Sequence, residues 1–117
     1  MSKKIYKTLE TPSGNGEIRK SAEHFANVSY RLQIKQEIFI DETFGNKAEI
    51  PGQQEISGEV IVSAEERMTT KILNGMASGQ LLILYLSDGR KLEVIANPID
   101  QLEGKYRVVP GPSGFIA

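Results

Sequence analysis

The sequence predicts an all-β fold, a mainly antiparallel small β-barrel or sandwich of about six or seven strands with one short helix. Three observations carry this. Apolar and polar residues alternate from Asn27 to Asp41 and again from Glu55 to Ser63, the period of a half-buried strand. An Asp88-Gly89 pair separates two strand-like runs, the mark of a tight hairpin. No strand–helix–strand rhythm appears, which argues against a parallel sheet.

At 117 residues the chain is expected to form a single domain, 1–117, with an N-terminal strand and loop over 1–16 and an irregular tail over 110–117. Its 39% apolar and 25% charged residues are ordinary globular composition, so disorder is not expected. A net charge of −1 supplies no positive field, and a nucleic-acid partner is not expected. With no cysteine, disulfides, thiolate zinc sites and cysteine nucleophiles are excluded. The longest apolar run, Leu81 to Leu86, is too short to span a bilayer, and no apolar segment follows the basic start of the chain. A soluble cytoplasmic protein with no membrane partner is the expectation.

Along the chain, Ile5, Tyr6 and Leu9 mark a first short strand, and Thr11 to Gly16 is a cluster of turn formers expected to be loop. Glu17 to Lys20 reads as another short strand. In the long run, Val28, Tyr30, Leu32, Ile34, Ile38 and Ile40 share one face, interrupted only by Gln36. Residues 42–53 read as loop because of Gly45, Asn46, Pro51 and Gly52. The next strand places Ile56, Gly58, Val60 and Val62 inward, where Gly58 implies a bulge, a bend or close approach of another backbone. Ser63 and Glu66 have capping-box spacing, and Met68, Ile72 and Leu73 then predict a helix of about ten residues stopped by Asn74-Gly75. Asn97-Pro98 ends the strand after the hairpin, and Gly104 to Val109 is the last one.

Treating Asp88-Gly89 as a two-residue loop sets the hairpin register: Tyr85 opposes Leu92, Ile83 opposes Val94, and Leu81 opposes Ala96. Those six would line the core. Leu82, Leu84, Leu86 and Ile95 would then face outward, an apolar surface that needs a cover. Either the chain's own helix or N-terminal segment packs there, or another protein does.

Little chemistry is readable. His24 is the single histidine, and no Gly-x-Ser-x-Gly elbow accompanies it, so a hydrolase built on it is the weakest reading. A zinc site would need more ligands. Gly14-Asn15-Gly16 lacks the lysine of a phosphate-binding loop. Asp41-Glu42, Glu65-Glu66 and Asp88 each have a structural explanation as strand, helix-start or turn residues. No catalytic residue, metal or cofactor is expected.

The segment carrying Leu84, Leu86, Asp88, Gly89, Arg90 and Leu92, with Ile56-Ser57-Gly58-Glu59-Val60 upstream, resembles a pattern in small bacterial all-β proteins of unassigned function. The resemblance covers about the last half of the chain and implies a similar fold; it carries over no activity and no functional residue. The expected function is a non-catalytic interaction or assembly module whose partner is a protein, a second copy (homodimer) included. Its interface would be the outer face of the 81–95 hairpin, through Leu82, Leu84, Leu86 and Ile95. The alternative is a β-barrel binding a small-molecule ligand, with Tyr30, Gln36 and Gly58 near the cavity.

Overall fold

The computed structural model describes residues 2–43 and 45–116. It contains seven strands and one helix: β1 (Ser2–Glu10), β2 (Ser13–Lys20), β3 (Glu23–Thr43), β4 (Asn46–Val62), α1 (Thr70–Gly75), β5 (Leu82–Tyr85), β6 (Lys91–Asp100) and β7 (Lys105–Ile116). All pairings are antiparallel. Six strands pair in the order β3-β2-β5-β6-β7-β4, and β4 returns to β3, so the sheet closes into a barrel.

Alternation explains the wall. Val28, Tyr30 and Leu32 of β3 and Val60 and Val62 of β4 point into the barrel and are buried, while Ser29, Arg31 and Ile61 between them are exposed. Among the described residues no polar or charged residue is buried. Helix α1 adds Ile72, and its C-cap adds Met76, to this core with Phe25.

β3 and β4 are far longer than a barrel wall needs. β2 borders β3 up to Arg31, and β7 borders β4 only over Gly58–Ile61. The β3–β4 ladder nevertheless continues to Thr43 opposite Asn46. β1 runs along the same edge of β3 as β2, beyond the barrel, from Ser2 opposite Asp41 to Glu10 opposite Ile34. The result is a three-stranded arm standing out from the wall. It accounts for the extents of 61 × 28 × 22 Å and the radius of gyration of 17.1 Å. A compact chain of this length would have a radius near 13 Å, by the usual scaling.

Several expectations are corrected. Gly14 and Gly16 lie in β2, paired with Tyr30 and Val28, because Pro12 starts the turn early and its carbonyl already accepts from the Leu32 N–H. Residues 42–53 are mostly strand: the turn is confined to the residues around Gly45 (φ +81°), and Pro51 sits beside a bulge where the ladder tolerates a missing N–H. The 110–116 segment is paired too, Pro110 with Val94 and Ile116 with Lys91, and β6 runs past Pro98 to Asp100. The helix is six residues, capped by Thr69, whose hydroxyl accepts from the Ile72 N–H at 3.4 Å. Ser63 does not cap it. The Glu66 carboxylate is drawn instead to the Asn27 N–H (2.8 Å) and the Ser63 hydroxyl (2.7 Å), so 63–69 forms turns. Gly75 is not a left-handed stop; it is small because a Cβ there would lie 2.0 Å from Phe25 Cζ.

The most consequential correction concerns the hairpin register. Leu84 opposes Leu92 and Leu82 opposes Val94, one residue away from the two-residue-loop register. The Gly89 N–H bonds the Leu86 carbonyl at 3.1 Å and the Leu86 N–H bonds the Arg90 carbonyl at 2.8 Å. Ser87-Asp88-Gly89 is thus a three-residue loop, with Gly89 at φ +94° in the left-handed position that such loops reserve for glycine. A one-residue slip exchanges the two faces of a strand.

Candidate interaction surface: the projecting arm

The arm's two faces follow from the register. β3 alternates without interruption from Leu32 to Ile40, so its core-facing side continues outward as Gln36, Ile38 and Ile40. On that face Ile5, Ile38 and Pro51 form one row across the three strands, and Lys3, Ile40 and Glu49 the next. The opposite face carries Tyr6 beside Glu37, and the row Lys4, Phe39 and Ile50. About nine residues of β3 lie in the arm, a reach of roughly 30 Å at the usual strand rise.

Two features set the arm's geometry. Gly58, the last β4 residue beside β7, is where the hairpin leaves the barrel; a Cβ there would lie 2.3 Å from the Arg31 carbonyl oxygen. Close approach of another backbone is therefore the reason for this glycine. Further out, the bulge at Gly52-Gln53 twists β4, and Gln36 Nε2 donates to the Gly52 carbonyl at 2.8 Å and the Glu37 carbonyl at 3.0 Å.

Among the described residues, no helix or further strand packs on either face. Ile50 is 51% exposed, Tyr6 44% and Phe39 36%, and Ile5, Ile38 and Ile40 are only half-buried. Lys4 pairs with Glu37 at 3.1 Å and lies 5.4 Å from the Tyr6 ring; hydrogen bonding to Tyr6 and to Glu37 raises its pKa.

The residues expected to form an interface lie elsewhere. Leu82, Leu84 and Leu86 are 1%, 0% and 5% exposed and belong to the core, the direct result of the three-residue loop. Ile95 is half-buried on the opposite face with Ile83, so the four do not share a surface. The candidate cavity residues are also apart. Tyr30 is buried, its hydroxyl accepting from the Ser87 N–H at 3.0 Å and sharing a hydrogen bond with the Ser87 hydroxyl at 2.9 Å. Three surface depressions of about 620, 400 and 280 Å³ are lined mainly by residues that alternate with the core. Gly58 borders the second and Tyr30 the third, while Gln36 borders none of them.

His24 stands between two carboxylates. Its Nδ1 bonds Glu17, and its Nε2 lies 3.1 Å from Glu66. Bonds to Glu17 first and Glu66 second raise its pKa, because both favour the imidazolium. Glu17 is lowered by His24 and then Arg19. At Glu66 burial pushes upward, but bonds from Asn27, Ser63 and His24 outweigh it. With both ring nitrogens engaged, His24 is arranged as a clamp between β2 and the 63–69 turns. Among the described residues no cluster suits a metal ion, and no helix is long and apolar enough to cross a membrane.

The chain matches no family model, no curated protein and no solved structure. The arm must therefore be read from its own geometry.

Sequence reasoning missed the arm because Pro51-Gly52 and Gly45-Asn46 read as loop. One signal was present: a run from Asn27 to Asp41 is well beyond the usual strand of three to ten residues.

Proposed function

We propose that this protein is a non-catalytic interaction and assembly module that docks another protein through the three-stranded arm. One observation carries the reading: six apolar residues on three paired strands stand clear of the barrel, exposed or half-buried, with neither face covered by another element among the described residues. Three-stranded sheets gain independent stability by packing a face, and uncovered apolar patches on soluble proteins mark interaction sites. The packed barrel supports the arm and leaves the interior with little room for a ligand. The engaged ring of His24 fits a structural role better than a general base, and the lack of cysteine fits a reducing, cytoplasmic compartment.

The test is site-specific photo-cross-linking in cells, with the reactive group at Ile50 or Tyr6 and a control at Leu102, which is 72% exposed on the barrel. A discrete adduct identified by mass spectrometry from the arm positions, and none from Leu102, is expected. Adducts from Leu102 alone, or none from the arm, would overturn the reading.

A further inference from the structure

We infer that the arm's partner is a second copy of this chain, joined head to tail, with the β1 edge of one copy against the β4 edge of the next. The inference rests on the arm being the docking element proposed above. Among the described residues the arm has two open ladder edges, since β1 pairs only with β3 and β4 loses β7 beyond Gly58. The two edges carry opposite charge. Residues 2–9 of β1 hold Lys3, Lys4 and Lys7 and no acid, while residues 48–57 of β4 hold Glu49 and Glu55 and no base. Lys4 is taken by Glu37 and Lys47 by Glu42, but among the described residues Lys3, Lys7, Glu49 and Glu55 enter no ion pair.

Register makes the match specific. Lys3 and Glu49 both sit opposite Ile40, in one row and on one face. β1 and β4 are each antiparallel to β3, so they run parallel to one another. Continuing the sheet without a shift therefore sets Lys3 of one copy beside Glu49 of the next, about 4.8 Å away between strands. The next row on that face places Ile5 beside Pro51. Symmetric pairings fare worse. Two β1 edges paired antiparallel about Ile5 put Lys3 opposite Lys7, and like charges directly opposite are destabilising. Two β4 edges paired antiparallel about Gly52 put Glu49 opposite Glu55, acid against acid. Lysine and proline on an edge normally guard it against such pairing, and here they guard against the symmetric pairings while leaving the unlike one attractive. Sheet twist of roughly 20–25° per strand turns successive arms by about 60–75°, which splays barrels that are up to 28 Å wide. A head-to-tail contact of this kind builds rings or filaments.

Sedimentation velocity and light scattering on the full chain, across concentrations up to about 1 mM, test this with Lys3→Glu, Glu49→Lys and the double exchange. The wild-type chain is expected to associate with rising concentration, each single variant to associate about tenfold more weakly, and the double variant or a mixture of the two singles to recover. A zero-length carbodiimide cross-link between Lys3 and Glu49, formed between light and heavy isotope-labelled chains, is expected in the wild type. Both positions are exposed, and unchanged circular dichroism checks that the variants fold. Association strengthened or unchanged by Lys3→Glu would refute the head-to-tail pairing. A wild-type chain that stays monomeric would refute the second copy as partner; photo-adducts from Ile50 to a different protein would then leave the arm's docking role standing by itself.

Discussion

Arg90 grips Glu10 with both terminal guanidinium nitrogens, at 3.0 and 2.6 Å, and so ties the root of β1 to the β5–β6 turn. Asp88 accepts from Arg90 Nε at 2.8 Å, and the two carboxylates together raise the arginine's pKa, Glu10 contributing most. The pair is partly exposed, so Arg90→Ala is expected to cost no more than about 1 kcal/mol globally. Its effect should be local: faster amide exchange across residues 2–10, measured by mass spectrometry. Arg90→Lys keeps the charge but not the fork, and should protect β1 only in part.

The three-residue loop makes Leu84 a core residue. Leu84→Ala is expected to lose about 2–5 kcal/mol in urea unfolding, whereas Leu81→Ala, on the opposite face, should stay within about 0.5 kcal/mol. The two-residue register would reverse that order.

Gly58→Ala places a methyl group 2.3 Å from the Arg31 carbonyl oxygen and 2.9 Å from Leu32 Cα, both backbone and unable to swing aside. A loss of about 1–3 kcal/mol is expected, read as a lower denaturation midpoint.

The His24 clamp predicts a dependence on pH with two limbs. His24 has a folded pKa above its ordinary 6.5, so its contribution is complete below 6.5 and fades as pH rises through the raised value. Glu17 and Glu66 have folded pKa values below 4.5, so theirs is complete above 4.5 and fades as pH falls through the lowered values. The clamp should be strongest between about 4.5 and 6.5. Its partial exposure keeps the effect below about 1 kcal/mol. His24→Gln should remove the alkaline limb from a plot of stability against pH.

Tyr106 is fully buried and its hydroxyl has no hydrogen-bond partner among the described residues. Tyr106→Phe removes an unsatisfied polar group, so thermal unfolding should show unchanged or raised stability, up to about 1 kcal/mol.

The barrel was legible because alternation reports burial directly: Val28 to Ile34 and Ile56 to Val62 point as their pattern predicts. The hairpin was legible as a hairpin but not in its register. Asp-Gly serves both two- and three-residue loops, and the surrounding leucines occupy both faces, so hydrophobicity could not choose between them. The arm was hidden by residues that usually break strands. Pro51 borders and Gly52 lies in a bulge at an open edge, where breaking the ladder costs little. The His24 clamp joins residues 17, 24 and 66, and only the folded chain brings them together.

The closed wall also bears on how the chain folds. β3 and β4 meet across a tight turn, but the seams Glu17–Tyr85 and Gly58–Val108 join distant parts of the sequence. Such pairings pay their loop-closure entropy before any contact repays it, which places folding in the millisecond-to-second range of barrels. The β3–β4 ladder closes from its own turn, so it is expected to form before the distant seams close the wall. Its strand edges are then available to neighbouring chains, so yield of the folded protein should depend on chain concentration during synthesis.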